Sequence, residues 1–519
     1  MERLYLKLAV RYLRSCRLLS SAAATTSIDS VNPKVVPPEA AIDPKPFSSI
    51  PGPGRISMIG ALRKLRSSTK TFDEAEIRGY FDALADLQKI YGDLVKVEQG
   101  WGRGSVVHVF DPEDSKTVFN ADGRQPHIVP LQETTQKYRE MKKMNPGLGN
   151  LNGEEWYRLR SAVQQAMMRP QAVLQYLPFV NQVADDLVKH IKESLDPKEE
   201  ADMRRIAGRW ALEAAGLTVF EKRLGSFGEN VKWADNLVDI NREIFRLSAK
   251  LKFVAPFYKV VSTPKWRKMV GLEDAFYKEA TKLINEAIEK LGNETGNEEE
   301  MFFASHLVNK KELTKKDISV IMLSLFSDGL STTAPMLIYN LYNLAANKEI
   351  QQQVRDEVNK VAKPWEPFTP EKLTKLPFLK ACIKETFRLF PIGTEISRIS
   401  QVDLVLSGYK VPAGTPIDIN TNVLMRSTRF FTDPNEFRPQ RWLRSEGKPS
   451  QAHPFAFLPF GFGPRMCAGR RFAEQDLQVV LARLVSAFAI QHRYSPLTQV
   501  YETLLLPDGN CHFTFTPIY

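Results

Sequence analysis

Cysteine is scarce. The 519 residues hold four, Cys16, Cys382, Cys467 and Cys511, scattered without paired spacing. That scatter argues against a disulfide framework or a zinc site, and the chain reads as an intracellular, reduced protein. No unbroken run of about 18 apolar residues occurs, so no segment after residue 54 is expected to span a membrane. There is no internal repeat and no low-complexity tract. Neither a dinucleotide fingerprint nor a flavin domain is found, so any electrons the protein uses must come from outside. The formal net charge is +11, yet no basic run is interleaved with aromatics, which argues against a nucleic-acid partner.

What is there is an ordinary globular composition, 43% hydrophobic, 25% charged and 10% aromatic, enough for a large core. Residues 1–28 carry Arg3, Lys7, Arg11, Arg14 and Arg17 against the single acid Glu2. On a helix these basics gather on one side, opposite Leu4, Leu6, Leu8 and Leu13, and a Ser/Ala/Thr stretch follows at 20–27. These are the features of a mitochondrial transit peptide, and its removal would leave +7 to be explained. Residues 29–54 are proline-rich and read as a stiff linker into one folded domain, 55–519. Helical periodicity dominates that domain, at 153–168, 171–194, 200–219, 231–250, 271–292, 314–347, 349–362, 376–390 and 470–488. Thr314 and Asp317 have capping-box spacing at the start of the longest helix. Strand-like pieces are short: 94–98, 105–110, 403–406, 416–420 and 512–516. The expected class is mainly α, with a small β-rich portion.

The chemistry concentrates in Phe460-Gly461-Phe462-Gly463-Pro464-Arg465-Met466-Cys467-Ala468-Gly469, followed at once by a helix. Two glycines and a proline force a tight loop whose backbone can approach a flat ligand. Cys467 stands just before the helix, where the N-terminal amides and dipole favour a thiolate. The pattern FxxGxRxCxG resembles the heme-binding loop of the cytochromes P-450, and the resemblance extends over roughly residues 50–519. It implies that fold, with heme b (iron protoporphyrin IX) held between the long helix and the Cys-loop helix and Cys467 as axial ligand of its iron. Phe460, Gly461 and Gly469 would form the loop against the ring.

Further motifs follow in the family's order. Glu385 and Arg388 sit three apart on one helix face, and Arg441 lies in Phe437-Arg438-Pro439-Gln440-Arg441-Trp442; the resemblance implies a buried structural network of the three. Trp156 and Arg160 match a WxxxR helix and, with Arg398 and Arg465, would bind the heme propionates, for which a planar guanidinium is suited. The family's GxxPxR is replaced by Gly123-Arg124-Gln125-Pro126-His127-Ile128, so the last arginine is missing and His127 or Arg124 is left to compensate. The oxygen-activating AGx(D/E)T(T/S) is similar to Asp328-Gly329-Leu330-Ser331-Thr332-Thr333. Gly329 would leave room for O2, while Thr332, backed by Thr333, would organise proton delivery. The usual acid is replaced by Ser331, and Asp328, one turn before Thr332, either serves the relay, touches the substrate or caps a break in the helix.

A thiolate ligand pushes electron density onto the iron and favours O–O cleavage. The resemblance is to the mitochondrial branch, as in invertebrate members, on the transit peptide, on Trp210-Ala211-Leu212-Glu213 with Lys222-Arg223-Leu224-Gly225, and on Lys380 and Lys384. It implies electrons from NADPH through a ferredoxin reductase and an acidic [2Fe-2S] ferredoxin docking on Lys380, Lys384, Arg470 and Arg471. It also implies an apolar substrate, sterol-like or xenobiotic, and a place on the matrix side of the inner membrane, with 252–258 making peripheral membrane contact. Two other classes fit the loop: a heme-thiolate isomerase or dehydratase needing no O2, and a non-catalytic heme sensor.

Overall fold

Helices carry most of the chain in the computed structural model, which describes residues 43–53, 80–99, 104–195, 200–252, 256–292, 302–443 and 452–518. The expected transit peptide and residues 29–42 of the expected linker lie outside these. Helix α1 (Tyr80–Tyr91) leads into strands β1 (Leu94–Glu98) and β2 (Ser105–Val109). Then come α2 (Pro112–Asn120), α3 (Glu133–Met141), α4 (Gly153–Met167), α5 (Pro170–Leu174) and α6 (Leu177–Ser194). Strand β3 (Glu200–Asp202) precedes α7 (Met203–Phe220), α8 (Val231–Lys252), α9 (Pro264–Leu291) and α10 (Phe303–Val308). The longest helix, α11 (Lys315–Ala346), is followed by α12 (Lys348–Val361), α13 (Pro370–Thr374) and α14 (Pro377–Leu389). Strands β4 (Ile396–Ile399), β5 (Leu404–Leu406), β6 (Tyr409–Val411) and β7 (Pro416–Ile419) lead to the short α15 (Thr421–Leu424). After the cysteine loop come α16 (Arg470–Ala487) and strands β8 (Phe488–Gln491), β9 (Thr498–Glu502), β10 (Leu504–Asp508) and β11 (His512–Pro517).

The β portion is small and split. One sheet runs β1-β2-β7-β4, with β2 and β7 parallel and the other pairs antiparallel; β3-β11-β8 form a second, and β5–β6 and β9–β10 are hairpins. Residues Lys45–Pro51 are not a free linker but part of this region. Lys45 N donates to Gly408 O (2.9 Å), Lys96 N donates to Pro51 O (2.8 Å), and Ile50 is buried with Leu94, Val107 and Ile417. Burial of that isoleucine is what the proline-rich composition could not reveal.

Helix α11 is the axis of the core. Its residues Ile318, Met322, Phe326, Leu337 and Leu341 pack with Trp210 and Leu212 of α7 and Leu477 and Leu481 of α16. Its composition and length would also let it cross a membrane, but most of it is buried inside this fold. The capping box forms as the spacing predicts: Thr314 Oγ1 accepts from Asp317 N, and Asp317 accepts from Thr314 N. The helix runs unbroken through Asp328 and Pro335, so Asp328 caps no helix break.

Three expected boundaries are corrected. The helix expected over 171–194 divides at Gln175–Tyr176, because Pro178 has no N–H and its ring conflicts with the Leu174 carbonyl. Residues 200–202 pair with β11 as a strand before Asp202 caps α7 through Arg204 N. Helix α9 begins at Pro264, not 271, with Thr263 as its cap. Periodicity missed α1, α2, α3, α10, α13 and α15, and strands β4, β6, β8, β9 and β10, all too short for a repeating face to declare itself. The Trp210–Gly225 signature has a local physical cause. Glu213, fully buried, accepts from Arg223 Nε (3.0 Å), Leu224 N (3.1 Å) and Ser226 N (2.5 Å), which locks the turn after α7.

Candidate functional site

The cysteine loop turns through Gly461 (φ +73°) and Gly463 (φ +74°), conformations that side chains resist. It closes when Cys467 N donates to Phe460 O (2.8 Å), and Phe460 packs at a tilt against Phe387 of α14 with centroids 4.8 Å apart. Gly469 is the N-cap of α16. Cys467 lies deep in the fold, yet its side chain is accessible, so it faces an enclosed space. Burial pushes this thiol up by more than the Gly469 and Arg470 amides and the Arg160 guanidinium pull it down. The amides at the helix terminus favour the thiolate, as its position before α16 implies, and burial opposes them.

Arginines gather at the same place. Arg465 lies over the Trp156 indole, its guanidinium carbon 4.1 Å from the ring centroid, and donates to Pro126 O (2.6 Å), Leu151 O and Asn152 Oδ1 (2.8 Å). Burial, then repulsion from Arg398 and Arg160, lowers it to about 9. Arg398 is buried and paired with Asp122 (2.5 Å), and also donates to Phe462 O (3.1 Å). Arg160 donates to Met466 O, beside the cysteine, and its Nε is buried with no partner. Trp156 is buried beneath Arg465 and serves it as a platform. His127, not Arg124, is turned inward: its Nδ1 is buried without a partner, while Arg124 is exposed. Among the described residues the cluster of Arg160, Arg398 and Arg465 has one acid, Asp122, paired within it, so it is short of negative charge. An orphaned guanidinium nitrogen, a suppressed arginine and an accessible thiol in an enclosed space fit a flat dicarboxylate cofactor such as heme.

Across this space stands α11. Asp328 and Cys467 are electrostatically coupled, and burial raises the Asp328 carboxyl to about 6 against the pull of Arg139. Thr332 Oγ1 donates to the Asp328 carbonyl (2.8 Å), and Ser331 Oγ donates to Ser327 O (3.1 Å); Thr333 is half-buried. Gly329 lies between Asp328 and Thr332 on the same helix. A Cβ there would make only ordinary contact with Ala215 Cβ of α7, at 3.5 Å, so packing against α7 does not by itself require a glycine.

Behind the loop, Glu385 is the hub that the ExxR spacing predicts. It accepts both Arg388 Nε (3.0 Å) and Nη2 (2.8 Å), Arg441 Nε (3.0 Å), Trp442 Nε1 (2.8 Å) and Arg438 N (3.0 Å), with Glu385 and Arg388 fully buried. On the outer side, Lys380 is half-buried, and Lys384 is exposed over the Trp442 ring. Arg470 is exposed and paired with Glu474 (3.1 Å), and Arg471 donates to Met168 O (3.0 Å). Glu357, which caps α14 by accepting Phe378 N (2.8 Å) and Leu379 N (2.9 Å), sits near Lys380, as does Glu474. The face is therefore basic with two acids set into it. Sequence reasoning missed Asp122, Asn152 and Glu357, because each acts across more than 20 residues and belongs to no local pattern.

Comparison with known proteins agrees with this arrangement. The chain is 56% identical over 473 residues to "Probable cytochrome P450 CYP44" of Caenorhabditis elegans, covering 91% of this chain and 94% of that one. It is 30% identical over 522 residues to "Probable cytochrome P450 12d1 proximal, mitochondrial" of Drosophila melanogaster, covering 98% and 96%. It is 28% identical over 475 residues to the mouse "1,25-dihydroxyvitamin D(3) 24-hydroxylase, mitochondrial", covering 91% and 89%. The family model described as Cytochrome P450 matches residues 51–515. The chain therefore belongs to the cytochrome P450 family and is a heme-thiolate monooxygenase.

Proposed function

We propose that this monooxygenase works in mitochondria, takes electrons from an acidic ferredoxin and hydroxylates an apolar substrate, sterol-like or xenobiotic. The observation that carries the reading is the meeting of the Cys467 thiol with the under-neutralised arginine cluster, opposite Asp328. Cys467 would hold the heme iron, and Arg160, Arg398 and Arg465, with Trp156 beneath, would hold the propionates. When bound, the heme supplies the activation of O2 that the chain's own side chains cannot provide. Asp328, in a site where burial favours its protonated form, would store a proton within one turn of Thr332. The Thr332 hydroxyl commits its hydrogen to the Asp328 carbonyl, so its oxygen is left as an acceptor for a proton arriving from elsewhere.

Lys380, Lys384, Arg470 and Arg471 would form the docking face, and charge complementarity there speeds and orients encounter. The mitochondrial names of the fly and mouse relatives and the basic, acid-poor residues 1–28 support the compartment. Phe257, Val260 and Val261 are 59%, 82% and 62% exposed, which supports a membrane contact just beyond α8 on the matrix side of the inner membrane. The deciding experiment is NADPH consumption and product analysis by purified protein with ferredoxin, its reductase and a panel of sterols and xenobiotics. Turnover without O2 or electron donor would instead indicate an isomerase or dehydratase, and Soret shifts with no turnover a heme sensor.

A further inference from the structure

A narrow cleft between α3, α9, α11 and residues 144–150 reaches inward to Asp328, and polar side chains line most of it. Arg139 of α3 is 7% exposed, and only Nη1 of its guanidinium finds protein partners, Pro146 O (2.8 Å) and Ser324 Oγ (3.4 Å). Nε and Nη2 have none among the described residues. Gly147 (φ +90°) is what lets the guanidinium lie there, since a Cβ at this position would stand 2.0 Å from Arg139 Nη1. Glu273 of α9, also 7% exposed, has Oε1 bonded to the Thr135 hydroxyl (2.8 Å). Arg139 feels Glu273 and Asp328 electrostatically but forms no ion pair with either.

Two carboxyls and one guanidinium thus border one cleft without closing on each other. Arg139 leaves three N–H groups without a protein partner among the described residues, available to whatever enters the cleft. An anionic ligand would satisfy Arg139 but meet Glu273 and Asp328; a cationic one would meet Arg139. A neutral group that accepts from Arg139 and donates to Glu273 satisfies both. A hydroxyl does this with one atom. Asp328 both borders the cleft and is electrostatically coupled to Cys467, which supports a substrate anchored in the cleft and reaching toward the thiol.

We infer that this cleft is a recognition site for a hydroxyl group on an otherwise apolar substrate, with Arg139 as donor and Glu273 as acceptor. The inference rests on the monooxygenase reading above and names the substrate class: an alcohol oxidised at a carbon remote from its hydroxyl. The specificity resembles that of any site built to bond an OH, which discriminates strongly against the analogue lacking it.

The test measures binding to the purified holoprotein, by calorimetry and by Soret shift, of dodecanol, dodecane and dodecanoate, and of cholesterol against cholestene. At least one alcohol should bind about tenfold or more tightly than its hydrocarbon, and the alcohol more tightly than the carboxylate. Arg139→Gln and the isosteric Glu273→Gln should each bring the alcohol-to-hydrocarbon ratio to within about threefold, leaving hydrocarbon affinity unchanged. The inference is overturned by a wild-type protein without alcohol preference or by one that prefers the carboxylate. It is equally overturned if either variant keeps the ratio, even with altered peroxide release, since that would assign the cleft to proton traffic. Loss of the thiolate-type CO spectrum in the wild type would sink the heme-thiolate reading instead, and calorimetry still reads the ratio.

Discussion

The Thr332 hydroxyl donates to the main-chain carbonyl of Asp328 (2.8 Å), so these two residues meet through the backbone and not through the carboxylate. The Asp328 carboxyl is raised to about 6 by burial. Asp328→Asn is expected to slow product formation and divert electrons to hydrogen peroxide while leaving spectral substrate affinity nearly intact. The wild-type rate should carry a pH limb near 6 that the variant lacks. Ser331→Asp in that background should restore coupling. Weakened substrate affinity as the first effect of Asn would make Asp328 a substrate contact instead.

Cys467→Ser and Cys467→His should both abolish the red-shifted Soret band that thiolate ligation gives the ferrous–CO complex. Survival of that band in either variant removes Cys467 from the ligand position.

Neutralising Lys380 and Lys384 together should lower ferredoxin-supported turnover at low salt at least about fivefold, with substrate-induced spectral shifts unchanged. Wild-type turnover should fall steeply as ionic strength rises and the screening length shrinks to about 8 Å. The converse change follows from the acids in the same face: Glu474→Gln, which frees Arg470, should raise turnover at limiting ferredoxin. Unaltered rates in the double lysine variant would place the docking surface elsewhere.

Asp476 of α16 is buried, its Oδ1 has no hydrogen-bond partner, and burial raises its carboxyl to about 7. The native state therefore holds a proton that the unfolded chain, titrating at the usual carboxylate value, has already released. Stability is expected to fall as pH rises from about 4 to about 7 and then to level off. Asp476→Asn should show little gain near pH 4 and a gain of as much as about 4 kcal/mol at pH 8, read by denaturant unfolding at each pH. A gain that is constant across pH would mean that the carboxyl is not the cause.

Glu385→Gln removes the charge shared by Arg388, Arg441 and Trp442 and leaves two buried or nearly buried guanidinium groups uncompensated. The expected cost is about 3–5 kcal/mol of stability, with loss of heme-loaded protein on expression. A variant that unfolds at the wild-type denaturant midpoint would show that the backbone carbonyls around Arg388 suffice.

Some of this protein was legible from residue order alone. Contiguous patterns act through covalent spacing: FxxGxRxCxG makes its own loop, ExxR puts Glu385 and Arg388 on one helix face, and Thr314 with Asp317 closes a capping box. Long amphipathic helices were legible for the same reason, since a face repeated over several turns identifies itself. Tertiary structure decided the rest, because it depends on what burial brings together. Asp122 neutralises Arg398 from 276 residues away. Arg139 and Glu273 lie on separate helices, and neither position signals that they will border one cleft with Asp328. The Cys467 thiol is the plainest case. Its position before a helix is written in the sequence, but whether the helix end or burial prevails depends on the enclosed space around it, and there desolvation wins.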